Sequence, residues 1–127
     1  MVESDKLTFQ TAKKLKEITQ RLNIPFIFKA SYKKANRTSG SSFRSIGVLE
    51  SLIILGNIRE ELKIPVLTDI HSEVEAEIAA EYVDVLQIPA FLCRQTELLE
   101  AAAETGKIVN IKKGQFLSPD DMIFPVN

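Results

Sequence analysis

Segments with helical spacing alternate with short apolar runs along the whole chain, and this alternation constrains the fold more than any other feature. Ala12, Leu15, Ile18 and Leu22 recur three and four residues apart behind Ser4, a helix-capping residue, and Asn23-Ile24-Pro25 closes the segment. Phe26 to Phe28 then reads as a short buried strand. A polar stretch with several serines runs to about Gly47. Leu49, Leu52, Ile53, Leu55, Ile58 and Leu62 mark a second helix, in spite of Gly56 within it. Pro65 to Asp69 is a second strand. Ser72 and Glu75 form a capping box ahead of a third helix. Val83 to Ile88 is a third strand, ending at Pro89. Leu98, Leu99 and Ala102 lie on a fourth helix that Gly106 stops. Ile108 to Ile111 is a fourth strand, and Ser118-Pro119-Asp120-Asp121 reads as a further helix start.

A helix followed by repeated strand–loop–helix units implies parallel strands joined by right-handed crossovers. The strands are continuously apolar, as when both faces of a sheet are covered. The expectation is an α/β fold with about four parallel strands in one domain. At 127 residues the chain is long enough for one ordinary core. A net charge of −1 gives no bulk attraction to nucleic acid or to a membrane surface. No apolar run approaches membrane-spanning length. The single cysteine, Cys93, allows no intrachain disulfide, suits a reducing cytosol and reads as a buried filler.

Against that near-neutral background, the polar residues fall in one kind of place. The first strand is followed by Lys29, Ser31, Lys33, Lys34, Asn36 and Arg37; the second by Asp69 and His71. The third carries Gln87, with Arg94 soon after, and the fourth ends in Lys112-Lys113. Ligands of α/β folds bind at the C-terminal ends of the strands. Cations gathered there repel one another unless anions screen them, so the pattern points to phosphorylated or carboxylated small molecules. Each residue also has a plainer reading. The basic loop can be solvated, Lys29 can snorkel from a strand end, and a lone histidine is more often structural than catalytic. Strand alternation predicts that one of Lys112 and Lys113 points inward. Glu73, Glu75, Glu77 and Glu81 read as a solvated helix face. No metal-ligand spacing, phosphate loop or nucleophile elbow is present.

Four stretches, in order, carry a resemblance. They are Lys29-Ala30-Ser31 with Lys34-Ala35-Asn36-Arg37-Thr38-Ser39; Thr68-Asp69-Ile70-His71; Gln87 to Thr96; and Asn110-Ile111-Lys112-Lys113-Gly114-Gln115-Phe116 with Leu117-Ser118-Pro119. Together they resemble the 3-deoxy-D-manno-octulosonate 8-phosphate synthases over roughly residues 2 to 122. The resemblance implies a (β/α)8 barrel enzyme of lipopolysaccharide assembly. It implies condensation of phosphoenolpyruvate with D-arabinose 5-phosphate and water, releasing inorganic phosphate. By resemblance, Lys29, Ser31 and Lys34 hold the phosphoenolpyruvate carboxylate and reacting centre, Lys34 as a catalytic residue. Gln87, the Ala90 backbone and Lys112 serve its phosphate side. Asn36 and Arg37 grip the aldose phosphate. Thr38 and Arg94 reach that of a neighbouring subunit, which implies a homo-oligomer, a tetramer in the full-length enzyme. Asp69 and His71 are catalytic residues bordering the aldehyde and hydroxyls. A cytoplasmic location is implied. The related 3-deoxy-D-arabino-heptulosonate 7-phosphate synthases show Lys-Pro-Arg-Thr-Ser where this chain has Lys34 to Ser39, so the inserted Asn36 favours the octulosonate enzyme.

The chain also departs from that family. A closed barrel takes eight strands and roughly 250 residues. The expectation is therefore a partial barrel over residues 1–127, with the family's first strand and the C-terminal barrel half outside it. The position that sets metal dependence, a Cys or an Asn, is expected in that first strand, and the remaining metal ligands beyond residue 127. Hence no metal ligand and no cofactor is assigned within this chain, and a divalent metal stays open for the full-length enzyme. Ser45-Ile46-Gly47 replaces a common Gly-Pro-Gly, Thr38 replaces a frequent Ser, and Pro125 is expected to interrupt any helix in the tail. One class of function is a segment of this synthase, inactive as an isolated chain. The other is a non-catalytic remnant of the family that at most binds anions or sits in an oligomer.

Overall fold

A computed structural model describes residues 1–33 and 47–126. The described elements are α1 (Asp5–Arg21), β1 (Phe28–Lys29), α2 (Val48–Leu62), β2 (Val66–Asp69), α3 (Glu73–Tyr82), β3 (Val85–Ile88), α4 (Thr96–Glu104), β4 (Ile108–Ile111) and α5 (Ile123–Val126). Short 3-10 turns lie at Ala90–Leu92 and Asp120–Met122.

Local chemistry sets the helix ends. Ser4 Oγ accepts the Leu7 N–H at 3.3 Å to open α1. Asn23, at φ 54°, turns the chain out of α1 in the left-handed region that Asn tolerates. Ser72 caps α3 by accepting from the Glu75 N–H. Gly56 has a packing reason: a Cβ there would lie 3.1 Å from Tyr82 Cδ1, so its absence lets α2 and α3 approach closely. Lys16 Nζ donates to the Leu62 carbonyl at 2.6 Å and ties α1 to the end of α2.

The strands form one parallel sheet in the order β1-β2-β3-β4. The helices pack in sequence, α1 on α2, α2 on α3 and α3 on α4, against one face of that sheet. Alternation along the strands sorts the side chains. Phe28, Val66, Leu86 and Ile88 join Leu52, Leu55, Ile58, Ala76 and Ala79 in the main core. Lys29, Asp69, Gln87 and Asn110 therefore project from the opposite face.

The expected α/β architecture of four parallel strands with intervening helices is what the structure has, and the sheet is not closed. Several details differ. The first strand is Phe28–Lys29 rather than Phe26–Phe28. Pairing begins only where the Phe28 N–H reaches the Pro65 carbonyl, and Ile27 is exposed. Continuous burial holds for β2 and β3 but not for β1 or β4. Each of these outer strands has one neighbour among the described residues, and Ile108 is 69% exposed. Within α2 the buried set shifts by a residue, with Ser51 and Ile54 inside and Leu49 and Ile53 outside. α5 runs through Pro125, contrary to expectation. In a four-residue helix that position lies in the first turn, where the N–H has no intrahelical partner to lose. Among the described residues no helix is long and apolar enough to cross a membrane.

Candidate active site

Sheet register builds the site. Asp69 pairs with Gln87, and Gln87 with Asn110, so three polar residues stand on one row across β2, β3 and β4. Lys29 pairs with Leu67, so Ser31, two residues on, continues that row beyond β1. The side chains join along it. Ser31 Oγ donates to Asp69 Oδ2, and Gln87 Nε2 donates to Asp69 Oδ1. Asn110 Nδ2 donates to Gln87 Oε1 at 2.8 Å. Lys29, one step back on the same face, places Nζ 2.8 Å from Asp69 Oδ2 and 2.7 Å from Ser31 Oγ.

Asp69 is buried, and burial works against its ionisation; the hydrogen bonds from Lys29, Ser31 and Gln87 outweigh it and hold the carboxyl below the usual carboxylate range. It is thus ionised at neutral pH. It orients the Lys29 ammonium and the Gln87 amide, and has no proton to give.

A second carboxylate lies beside the first. Glu75, in the first turn of α3, accepts from Tyr32 Oη at 2.8 Å and from the His71 N–H at 2.9 Å, and its Oε2 lies 3.1 Å from His71 Nδ1. Lys33 Nζ approaches its other oxygen at 3.3 Å. This corrects the reading of Glu75 as part of a solvated face. Ser72 does cap the helix, but Glu75 turns to His71 and Tyr32 instead of closing the box on Ser72. Burial pushes its carboxyl up, yet the Tyr32 hydrogen bond and the Lys33 charge bring it below the usual range.

The strand-end cations are accordingly less bare than their sequence implies. Lys29 meets Asp69, and Lys33 meets Glu75. Lys113 Nζ donates to the Gly114 and Leu117 carbonyls. Lys112 stays in register, its N–H on the Ile88 carbonyl, and alternation puts its side chain on the Asn110 face. Its ammonium and the Arg94 guanidinium have no ion pair or side-chain hydrogen bond among the described residues. The structure thus brings Lys29, Ser31, Asp69 and Gln87 together, with His71 next to them through the β2–α3 turn. Ala90 opens the turn directly after β3. Lys34, Asn36, Arg37 and Thr38 lie outside the described residues.

Arg94 stands elsewhere. It lines a cavity of about 790 Å³ between α4 and the C-terminal segment, with Thr96, Glu100, Asp121 and Phe124. None of Lys29, Ser31, Asp69, His71, Gln87 or Lys112 lines that cavity. Its lining carries none of the network's chemistry. Cys93 is buried, its Sγ 3.0 Å from where a Cβ on Gly114 would sit, as a filler should be. Among the described residues no three His, Cys, Asp or Glu side chains converge to hold a metal ion.

Three members of the site, Asn110, Tyr32 and Glu75, were not among the sequence candidates. For Asn110 a signal existed: a polar residue inside an otherwise apolar strand needs a partner on its own face. For Glu75 the signal was its spacing of four residues from His71.

A family model described as the DAHP synthetase I family matches residues 1–127. The 2-dehydro-3-deoxyphosphooctonate aldolase of Methylibium petroleiphilum is 60% identical over 122 residues, which is 96% of this chain and 43% of that protein. Proteins of the same name from Burkholderia cenocepacia and Burkholderia vietnamiensis show the same identity and coverage. The chain spans 43% of the length of these curated relatives. Their shared name agrees with the octulosonate resemblance carried by the four motifs.

Proposed function

The chain belongs to the DAHP synthetase I family, and from that premise we propose that it forms the substrate-binding strand ends of an octulosonate 8-phosphate synthase. That enzyme joins phosphoenolpyruvate to D-arabinose 5-phosphate and water, and releases inorganic phosphate, in lipopolysaccharide assembly. The observation that supports this most is the hydrogen-bonded row Ser31, Asp69, Gln87 and Asn110, with Lys29 beside it, on the sheet face that no helix covers among the described residues.

In this reading Lys29 and Ser31, with Lys34, receive the phosphoenolpyruvate carboxylate. Gln87, the Ala90 backbone and Lys112 face its phosphate. Asn36 and Arg37 hold the aldose phosphate, and Thr38 and Arg94 reach that of a neighbouring subunit in a homo-oligomer working in the cytoplasm. Cations offset the charge of two phosphates, so the reactants can approach. The enol carbon bonds to the aldehyde carbon, water adds to the carbon bearing the phosphate, and the carbon–oxygen bond to phosphate breaks. Charge that develops on the way meets groups already fixed in place, Lys29 by Asp69 above all. Because Asp69 remains ionised, its part is to hold Lys29 rather than to donate a proton.

Phosphate release from phosphoenolpyruvate is the test. Release that depends on D-arabinose 5-phosphate is expected from the enzyme containing this segment, and Arg37→Ala should raise KM for the aldose phosphate more than for phosphoenolpyruvate. Release that depends instead on a four-carbon aldose phosphate would assign the heptulosonate reaction. No release with either aldose phosphate would leave a non-catalytic member of the family.

A further inference from the structure

Three donors meet at one oxygen beside the site. Glu75 Oε2 receives Tyr32 Oη, the His71 N–H and His71 Nδ1, while Lys33 occupies Oε1. An ionised carboxylate only accepts hydrogen bonds. The Tyr32 phenol, pushed up first by burial and then by its bond to Glu75, remains a donor. The hydrogen between His71 and Glu75 therefore sits on Nδ1. The ring has little freedom to turn away: the Tyr32 ring meets it edge-on at 5.9 Å and 86°, and its side chain is only 9% exposed. Nε2 has no hydrogen-bond partner among the described residues, and no buried side-chain nitrogen or oxygen there lacks one. Nε2 is thus not fully buried, although the side chain as a whole is largely covered.

We propose that Glu75 is the positioning residue for His71: it fixes the Nδ1–H tautomer and makes Nε2 a hydrogen-bond acceptor for a hydroxyl or water ligand. A neutral ring held this way has nothing to donate to a carbonyl or phosphate oxygen at Nε2. A polyol hydroxyl, or a water bound next to it, is the partner it fits. Only that ligand class rests on the sugar-phosphate reading of the site; the tautomer rests on the contacts to an ionised Glu75. The arrangement follows the logic by which a carboxylate on one imidazole nitrogen sets what the other can do.

His71 is the only histidine, so the imidazole ¹⁵N spectrum of the full chain reports one ring. Neutral His71 is expected to carry its hydrogen on Nδ1, with Nε2 bare. A dominant Nε2–H form in the unaltered chain overturns the proposal without any variant. Glu75→Ala, checked for a folded amide spectrum, is expected to lose the Nδ1–H signature, and its retention overturns the proposal. Tyr32→Phe is expected to keep it, because Glu75 still accepts and the ring stays packed on His71; its loss there would assign the tautomer to the Tyr32 hydroxyl and overturn the role of Glu75. These outcomes stand apart from the phosphate-release assay. Absent turnover removes the proposed reaction and leaves the tautomer in place, and an Nε2–H ring removes the positioning role and leaves the assay result in place.

Discussion

Asp69 and Glu75 are both carboxylates drawn out of water, and both collect donors from the segment around β1, yet they are assembled by different means. Asp69 is served by strands. Its partners Ser31 and Gln87 are 38 and 18 residues away and reach it only because the sheet holds its register. Half of the Glu75 cluster is local: the two bonds from His71 span four residues at the entry to α3, and only Tyr32 and Lys33 come from afar. A sheet row positions groups as firmly as the sheet itself, whereas a helix-entry cluster leans on loop geometry. In the proposed enzyme the row fits the fixed electrostatics of the reacting centre, and the helix entry fits the orientation of one ring.

The largest effect should come from breaking the row. Asp69→Ala leaves Lys29, Ser31 and Gln87 without their common acceptor, which should cost about 3 kcal/mol. Glu75→Ala should cost about 2 kcal/mol, since the His71 N–H and the Lys33 ammonium can turn to water. Urea unfolding of the two variants compares them directly. A Glu75→Ala loss equal to or larger than that of Asp69→Ala would break the contrast between row and helix entry.

The same contrast explains what could be read in the sequence. Strand ends are marked by an abrupt change from apolar to polar, so Lys29, Asp69 and Gln87 could be picked out before any coordinates. Alternation also predicted that one of Lys112 and Lys113 points inward, without saying which. Lateral register cannot be read from one strand at a time, so the bond from Asn110 to Gln87 was hidden. Glu75 was misread for a related reason. Helical periodicity puts it among exposed glutamates, and only the path of the chain after β1, which brings Tyr32 and Lys33 over α3, turns it inward. The extent of β1 was misjudged because apolar character alone does not decide pairing: Ile27 is as apolar as Phe28 but lies before the first ladder bond.

Acid is a gentler way to probe both carboxylates than deletion, because a protonated carboxyl still fills its place. Both have folded-state values below the usual carboxylate range, so the unfolded chain binds more protons as pH falls. Their stabilisation is complete above the ordinary carboxylate values, about pH 4. It is lost as pH drops through the lower folded values. Unfolding between pH 6 and acid should show that fall, and Asp69→Asn and Glu75→Gln should each flatten it. Equal acid slopes in the unaltered chain and both variants would sink this account. A smaller change is expected from Tyr32→Phe. It removes one donor from Glu75 and leaves the ring packed on His71, so about 1.5 kcal/mol should be lost in the same unfolding experiment.

Lys33→Ala should have the smallest effect. Its Nζ is 3.3 Å from Glu75 Oε1, but the lysine side chain is 45% exposed, so water competes for the ammonium and salt screens the pair. A loss of no more than about 0.5 kcal/mol is expected at low salt, and less at high salt. Lys29 makes a shorter pair with Asp69 and is almost as exposed, at 43%. The two lysines thus share exposure and differ in their acceptor: Asp69 is pinned on both oxygens by the sheet row, whereas the Oε1 of Glu75 holds Lys33 alone. If anchoring of the acceptor decides the strength of a surface ion pair here, Lys29→Ala must cost more than Lys33→Ala and respond less to salt. Equal losses with equal salt dependence would show that exposure alone sets both pairs, and that the row gives Lys29 no advantage.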